Sequence, residues 1–265
     1  MQAKKSHILQ EIIYEYEFGQ PKKDGRVIFE CEFDKKGNLH KHTDFYIHTD
    51  EPVIQYITLY DKKGSDIQWD EYNEEGKFDN RIVNKYGTNN NKIEIYKYDS
   101  NEELVSKTVN SYEGKDIVES NTFEPEGKLI EKEISKYDDS GYSINSTKYD
   151  SNGKMLSKAS YVNDKIGNAI EMHFYRPGKG TSVVKATYDD NNNMIEEIWH
   201  DYDGRVEQRE IYTYDENNNE KTRIIYNSEG RLDIKFVHYY DANGNQLKTI
   251  EYNEADEPNL LTVYK

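Results

Sequence analysis

The residues best suited to chemistry are acids and amides gathered in short loops. "YDSNG" (149–153), "YDDNNN" (188–193) and "YDENNN" (214–219) bring several oxygen ligands together, as calcium loops do. An EF-hand-type loop needs about twelve residues closing on a bidentate Glu. Here a strand-like segment follows each loop, and Gly-Gly-x-Gly-x-Asp nonapeptides are absent. The histidines are His7, His40, His42, His48, His173, His200 and His238, and "HKH" (40–42) sets two imidazoles on one strand face without a clear third ligand. "RPGKGTS" (176–182) lacks the Gly-x-x-x-x-Gly-Lys-Ser/Thr order of a phosphate loop and reads as a longer hairpin loop. Carboxylates abound, but no pair stands out as a glycosidase couple. The expectation is a protein that is not an enzyme, with no metal and no cofactor.

If the loops are not sites, they must be turns. In Asp-x-x-Gly, Asp accepts a backbone hydrogen bond at the first position of a type I turn, and Gly takes the left-handed conformation of a G1 bulge. Asp34–Gly37, Asp61–Gly64, Asp138–Gly141, Asp150–Gly153 and Asp241–Gly244 fit this pattern. Asn73–Gly76 and Asn227–Gly230 fit it with Asn in the place of Asp. Asn192 and Asn218 stand where Gly is expected, and Asn tolerates a positive φ better than most residues.

An aromatic precedes most of these turns, from Phe18 and Phe33 through Tyr60, Tyr72, Tyr86 and Tyr98 to Tyr240 and Tyr252. Between turns the pattern alternates, as in "GRLDIKFVHYY" (230–240), where Leu232, Ile234, Phe236, His238 and Tyr240 share one face. The fold class this predicts is all-β. It is a single antiparallel meander of repeated hairpins with a 12–14-residue repeat and a ladder of aromatic rings. About eighteen strands exceed what a flat sheet sustains, so the sheet is expected to be open but curved or coiled, or partly closed. Residues 1–265 read as one array, with degenerate capping repeats over 1–46 and regular ones over 47–265.

The totals narrow the partners. Hydrophobic residues make up 34% of the 265, a figure that includes 24 tyrosines, so the rings themselves must form much of the core. The net charge of −16 opposes nucleic acid and anionic lipid and favours a basic partner. Cys31 is the single cysteine, which rules out an intramolecular disulfide. No apolar run is long enough to span a membrane as a helix. As written, the chain is expected in the cytoplasm, or outside the cell or in the periplasm if a signal peptide has been removed.

The segments "YKYDSNEEL" (96–104), "KYDSNGKML" (148–156), "YTYDENNNE" (212–220), "NSEGRL" (227–232) and "YYDANGNQL" (239–247) resemble the YD repeats of the RHS family, whose theme is Tyr-Asp-x-x-Gly-Arg-Leu. The resemblance implies a spiralling β-sheet shell that encloses toxin domains or forms extracellular surface proteins. Together with the charge, the repeat points to a protein-binding module, of which an immunity protein holding a basic toxin is the most concrete version. Trp69, Tyr96, Trp199, Tyr212 and Tyr239 are the candidate partner-binding residues, because Trp and Tyr offer large, stiff contact area. The alternative is an extracellular surface or carbohydrate-binding repeat protein whose rings stack on sugars.

Overall fold

The computed structural model describes residues 8–46 and 51–265, so His7 and His48 lie outside the described residues. Strands alternate with short turns along the chain. They are β1 (Ile8–Glu17), β2 (Gln20–Pro21), β3 (Arg26–Phe33), β4 (Leu39–Phe45), β5 (Pro52–Tyr60), β6 (Asp66–Tyr72) and β7 (Phe78–Tyr86). Next come β8 (Lys92–Tyr98), β9 (Leu104–Glu113), β10 (Asp116–Phe123), β11 (Leu129–Tyr137), β12 (Ser143–Asp150), β13 (Met155–Asn163) and β14 (Ala169–Arg176). The last are β15 (Gly180–Tyr188), β16 (Met194–His200), β17 (Val206–Tyr214), β18 (Glu220–Asn227), β19 (Leu232–Tyr240), β20 (Gln246–Tyr252) and β21 (Pro258–Tyr264).

The described residues thus hold 21 strands rather than about eighteen. The surplus is the two-residue β2, β16 where the aromatic marker blurs at His200, and the final β21. The chain is an all-β antiparallel meander. It divides into two compact units, one of residues 1–13, 26–132 and 265, the other of 14–25 and 133–264.

In the first unit β3 to β10 each pair antiparallel with their sequence neighbours. The first strand pairs with β3 on one side. On its other side Gln10 exchanges two backbone hydrogen bonds with Lys265, of 2.8 and 3.0 Å. An open sheet would leave that edge bare; here it is occupied at Gln10, in line with the partly closed form among those expected.

In the second unit β12 to β21 pair in the same manner. The registers place Ala159, Phe174 and Ser182 in one row across β13, β14 and β15, and Met172, Val184, Trp199 and Gln208 in the next. Glu197, Glu210 and Arg223 lie on this same face. The opposite face carries Glu171, Lys185, Arg209, Lys235 and Lys248. Both faces are therefore charged.

Hairpins share one turn design. Asp34, Asp61, Asp138, Asp150 and Asp241 each accept at Oδ1 from the amides two and four residues on, over 2.7–3.0 Å. Gly37, Gly64, Gly141, Gly153, Gly230 and Gly244 all have positive φ. Asn192 (φ 70°) and Asn218 (φ 62°) occupy the same left-handed position, as do Glu102 and Asp256. Most turns shift the register by a bulge, for example between Tyr239 and Tyr240, whereas the hairpin of β14 and β15 runs to Arg176 and Gly180 without one. The bulges qualify the expected face of β19. Ile234, Phe236 and His238 share a row direction, while Leu232 and Tyr240 sit at the two shifts.

The predicted ring ladder takes a different form. Ring contacts run from Phe29 to His42, Tyr56 and Trp69, at 4.5, 5.1 and 4.8 Å between centroids. Elsewhere the recurring tyrosines act through their hydroxyls. Tyr60, Tyr86 and Tyr112 donate to the carbonyls of Leu39, Asp66 and Lys92 at 2.7, 3.0 and 2.8 Å. In the second unit Tyr214 and Tyr240 donate to Met194 and Glu220 at 2.7 and 2.8 Å, and Asn163 does the same for Ser143 at 2.9 Å. Each acceptor is the first residue of the preceding strand, beside the bulge where the ladder loses a partner.

Candidate functional site

The five aromatics singled out by sequence divide by environment. Trp69 is half-buried and lies flat on Tyr56, with the ring planes 15° apart. It belongs to the ring stack of the first unit. Tyr96 is held in a charge cluster, its hydroxyl donating to Glu94 at 2.7 Å while Lys85 and Lys107 lie 4.5 and 5.4 Å from its ring centre. Hydrogen bonds from Lys107 and Tyr96 pull the Glu94 carboxyl down to about 2.

Tyr212 sits in a related network in the second unit. Its hydroxyl, Arg223 Nε and Gln208 Nε2 all donate to Glu210, at 2.6, 2.6 and 2.5 Å. Glu210 is only 3% exposed. Burial pushes its carboxyl up, but the hydrogen bonds from Arg223 and Tyr212 outweigh this and hold it below the usual carboxylate range. Burial first, then the bond to Glu210, raises the Tyr212 phenol. Tyr96 and Tyr212 are therefore anchored by a Glu two residues earlier on the same strand. Both hydroxyls are engaged within the sheet.

Trp199 and Tyr239 remain open, at 40% and 39% exposure. Lys248 Nζ lies 4.3 Å from the centre of the Tyr239 ring and covers one of its faces. Trp199 has its Nε1 fixed by Glu197 at 2.8 Å, which orients the indole and leaves its faces available.

Beside Trp199 the sheet forms a cleft of about 440 Å³. Small residues, Ser157 and Ala159 on β13 and Ser182 on β15, form its floor; Phe174, which the register sets between Ala159 and Ser182, completes the lining with Arg176, Trp199 and Tyr202. Alternation puts Lys158 and Tyr175, which also border the cleft, on the opposite face of their strands. The link from β14 to β15 spans only residues 177–179, so the longer loop expected from "RPGKGTS" is a short turn. A Cβ at Gly180 would touch Tyr202 at an ordinary 3.8–3.9 Å, so space does not demand glycine there; its φ of 107° does. Arg176 is exposed and, among the described residues, makes no ion pair. Sequence singles out Trp199; for the other cleft residues its signal is the cluster of Phe, Tyr and Arg before "PGKG".

No group of three or more His, Cys, Asp or Glu suited to a metal occurs among the described residues. The Oδ1 atoms of the turn aspartates accept from backbone amides, as those of Asp150, Asp189 and Asp215 do. His42 bonds Asp44 at 2.9 Å and His40 faces the Thr58 carbonyl at 3.2 Å, so the two histidines of "HKH" have separate partners. No helix among the described residues is long and apolar enough to cross a membrane.

No known family matches the sequence, and no curated protein does. Among solved structures the chain is similar to a porin-like protein from Bacteroides uniformis, with a TM-score of 0.43 and 11% identity over 97% of this chain and 96% of that one. It is also similar to the Tc holotoxin pore of Photorhabdus luminescens, with a TM-score of 0.26 and 12% identity, covering 97% of this chain but 18% of the other. A porin-like protein from Bacteroides vulgatus matches with a TM-score of 0.28 and 12% identity over 96% of both chains. At these scores the likenesses carry no argument about fold or activity.

Proposed function

We propose that this protein is a non-enzymatic binding scaffold built from YD-type hairpin repeats, and that its partner is a basic protein. The observation that carries this reading is the row of turn carboxylates. Asp189, Asp215 and Asp241 cap successive turns at one end of the strands of the second unit. Hydrogen bonds from the Asn four residues on hold all three below the usual carboxylate range. Two strands separate neighbours in the row, about 10 Å. Such a line of fixed negative charge steers a cationic surface into contact. The concrete version is an immunity protein that blocks a basic toxin, such as a nuclease, in the cytoplasm. Charge on both sheet faces disfavours insertion into lipid, because a membrane barrel needs an apolar outward face. We also propose that the meander closes on itself, a form supported by the pairing of Gln10 with Lys265.

The test begins with the protein that co-purifies from native cells at low salt and elutes at high salt, which is then produced pure. Asp190, Glu216 and Asp139 are exposed turn acids whose removal spares the capping bonds. The triple variant Asp139→Asn, Asp190→Asn, Glu216→Gln should bind the pure partner at least tenfold more weakly at low salt. Equal affinity for the variant, or a partner that is acidic, would refute the reading. A second reading, binding of carbohydrate, is favoured by one observation: the aromatic cleft beside Trp199.

A further inference from the structure

We propose that the cleft between β13 and β16 binds a short acidic saccharide, with Trp199 and Tyr202 as stacking platforms and Arg176 as the carboxylate anchor. The inference rests on the carbohydrate reading and deepens it by naming the site and the ligand's charge.

Three features of the geometry carry it. First, the floor is polar and small: Ser157 and Ser182 offer hydroxyls where bulky side chains would fill the depression. A sugar ring presents alternating hydroxyls and C–H groups, which suits a serine floor beside aromatic rings. An apolar peptide side chain would leave those hydroxyls unpaired, at a cost. Second, Trp199 is oriented before any ligand arrives, because Glu197 holds its Nε1 at 2.8 Å. A ring fixed in this way loses little freedom on binding. Tyr202 lies beside Gly180.

Third, the charge at this spot reverses that of the molecule. The chain carries −16 overall, yet the cleft is lined by Arg176, exposed and without an ion pair among the described residues. A guanidinium matches a carboxylate with two parallel hydrogen bonds. The surrounding acidity sets the ligand's size. A long polyanion would be repelled by the rest of the surface, whereas a short oligosaccharide with one or two carboxylates would feel mainly Arg176. The volume of about 440 Å³ lies in the range of small-ligand sites.

The experiment follows the indole N–H resonances of full-length protein labelled with ¹⁵N. The chain has two tryptophans, so Trp69 serves as an internal control. The probes are 3′-sialyllactose, a hyaluronan tetrasaccharide, neutral lactose, chitotetraose, a carboxylate-ended Gly-Phe peptide and AMP. At least one acidic saccharide should shift the Trp199 signal, leave Trp69 still, and bind at least tenfold tighter than either neutral sugar. Arg176→Gln should remove that preference, and Ser182→Leu, which fills the floor, should abolish binding. Unchanged circular dichroism establishes that both variants are folded. If neutral sugars bind as tightly as acidic ones, the acidic specificity is wrong while the carbohydrate reading stands. If no saccharide binds, or if the peptide or AMP binds more tightly, both are overturned.

Discussion

Gly153 and Gly167 occupy the same turn position with φ of 77° and 95°, yet their surroundings differ. A Cβ at Gly153 would meet open space, whereas one at Gly167 would collide with the ring of Tyr142. Gly153→Ala should therefore cost only the backbone strain, about 1–2 kcal/mol. Gly167→Ala should cost a further ~1–3 kcal/mol as the ring is displaced. Urea unfolding of the two variants checks both values, and equal losses would show that Tyr142 moves freely. Glu94 offers a pH test. Its folded pKa of about 2 lies below the ordinary 4.5, so its contribution to stability is present above pH 4.5 and is lost as pH falls toward 2. Carboxylate NMR should show a group titrating near 2 that vanishes in Glu94→Gln, and that variant should lose less stability than wild type over this window.

At the level of the strand, two devices join neighbours. One is the hydroxyl that reaches back to the first carbonyl of the preceding strand, as Tyr240 does to Glu220. Tyr240→Phe removes the donor and keeps the ring, so it should destabilise by about 1 kcal/mol. The other is the cross-strand carboxylate. Glu210 receives Tyr212 and Gln208 from its own strand and Arg223 from the next, at a site it fills almost without exposure. Glu210→Ala leaves those donors without an acceptor and should cost about 2–3 kcal/mol, measured by the same unfolding assay. These effects should add for sites several strands apart, because contacts in a meander are between neighbours.

For the molecule as a whole, 51 acids against 35 bases leave an excess that the ion pairs cannot neutralise. Self-repulsion should then be visible as a salt dependence. Raising NaCl from 10 to 150 mM shortens the Debye length from about 30 to about 8 Å and should increase the thermal midpoint. A fall instead would mean that attractive pairs such as Arg81 with Asp70 and Lys107 with Glu94 outweigh the surplus. The buried hydrophobic residues among those described are few, namely Ile13, Cys31, Val184 and Ala186. Stability among the described residues comes from many half-buried contacts rather than from one dense core.

The amino-acid sequence by itself determined the turns, the strand alternation and the antiparallel meander. Those features are local: an Asp or Asn side chain bonds amides two and four residues away, and the residue three along must tolerate positive φ. Asn192 and Asn218 in place of Gly were legible for this reason. Tertiary structure alone decided what the aromatics do. Tyr96, Tyr212, Trp199 and Tyr239 look alike in sequence, and all four have a charged neighbour, yet Trp199 and Tyr239 stay exposed while Tyr96 and Tyr212 are half-buried. Ser157, Ala159 and Ser182 become the floor of a cleft only through a register that spans β13 to β15. That register, like the bond between Gln10 and Lys265, depends on where distant strands lie rather than on any short motif, which is why the turns could be read along the chain and the cleft could not.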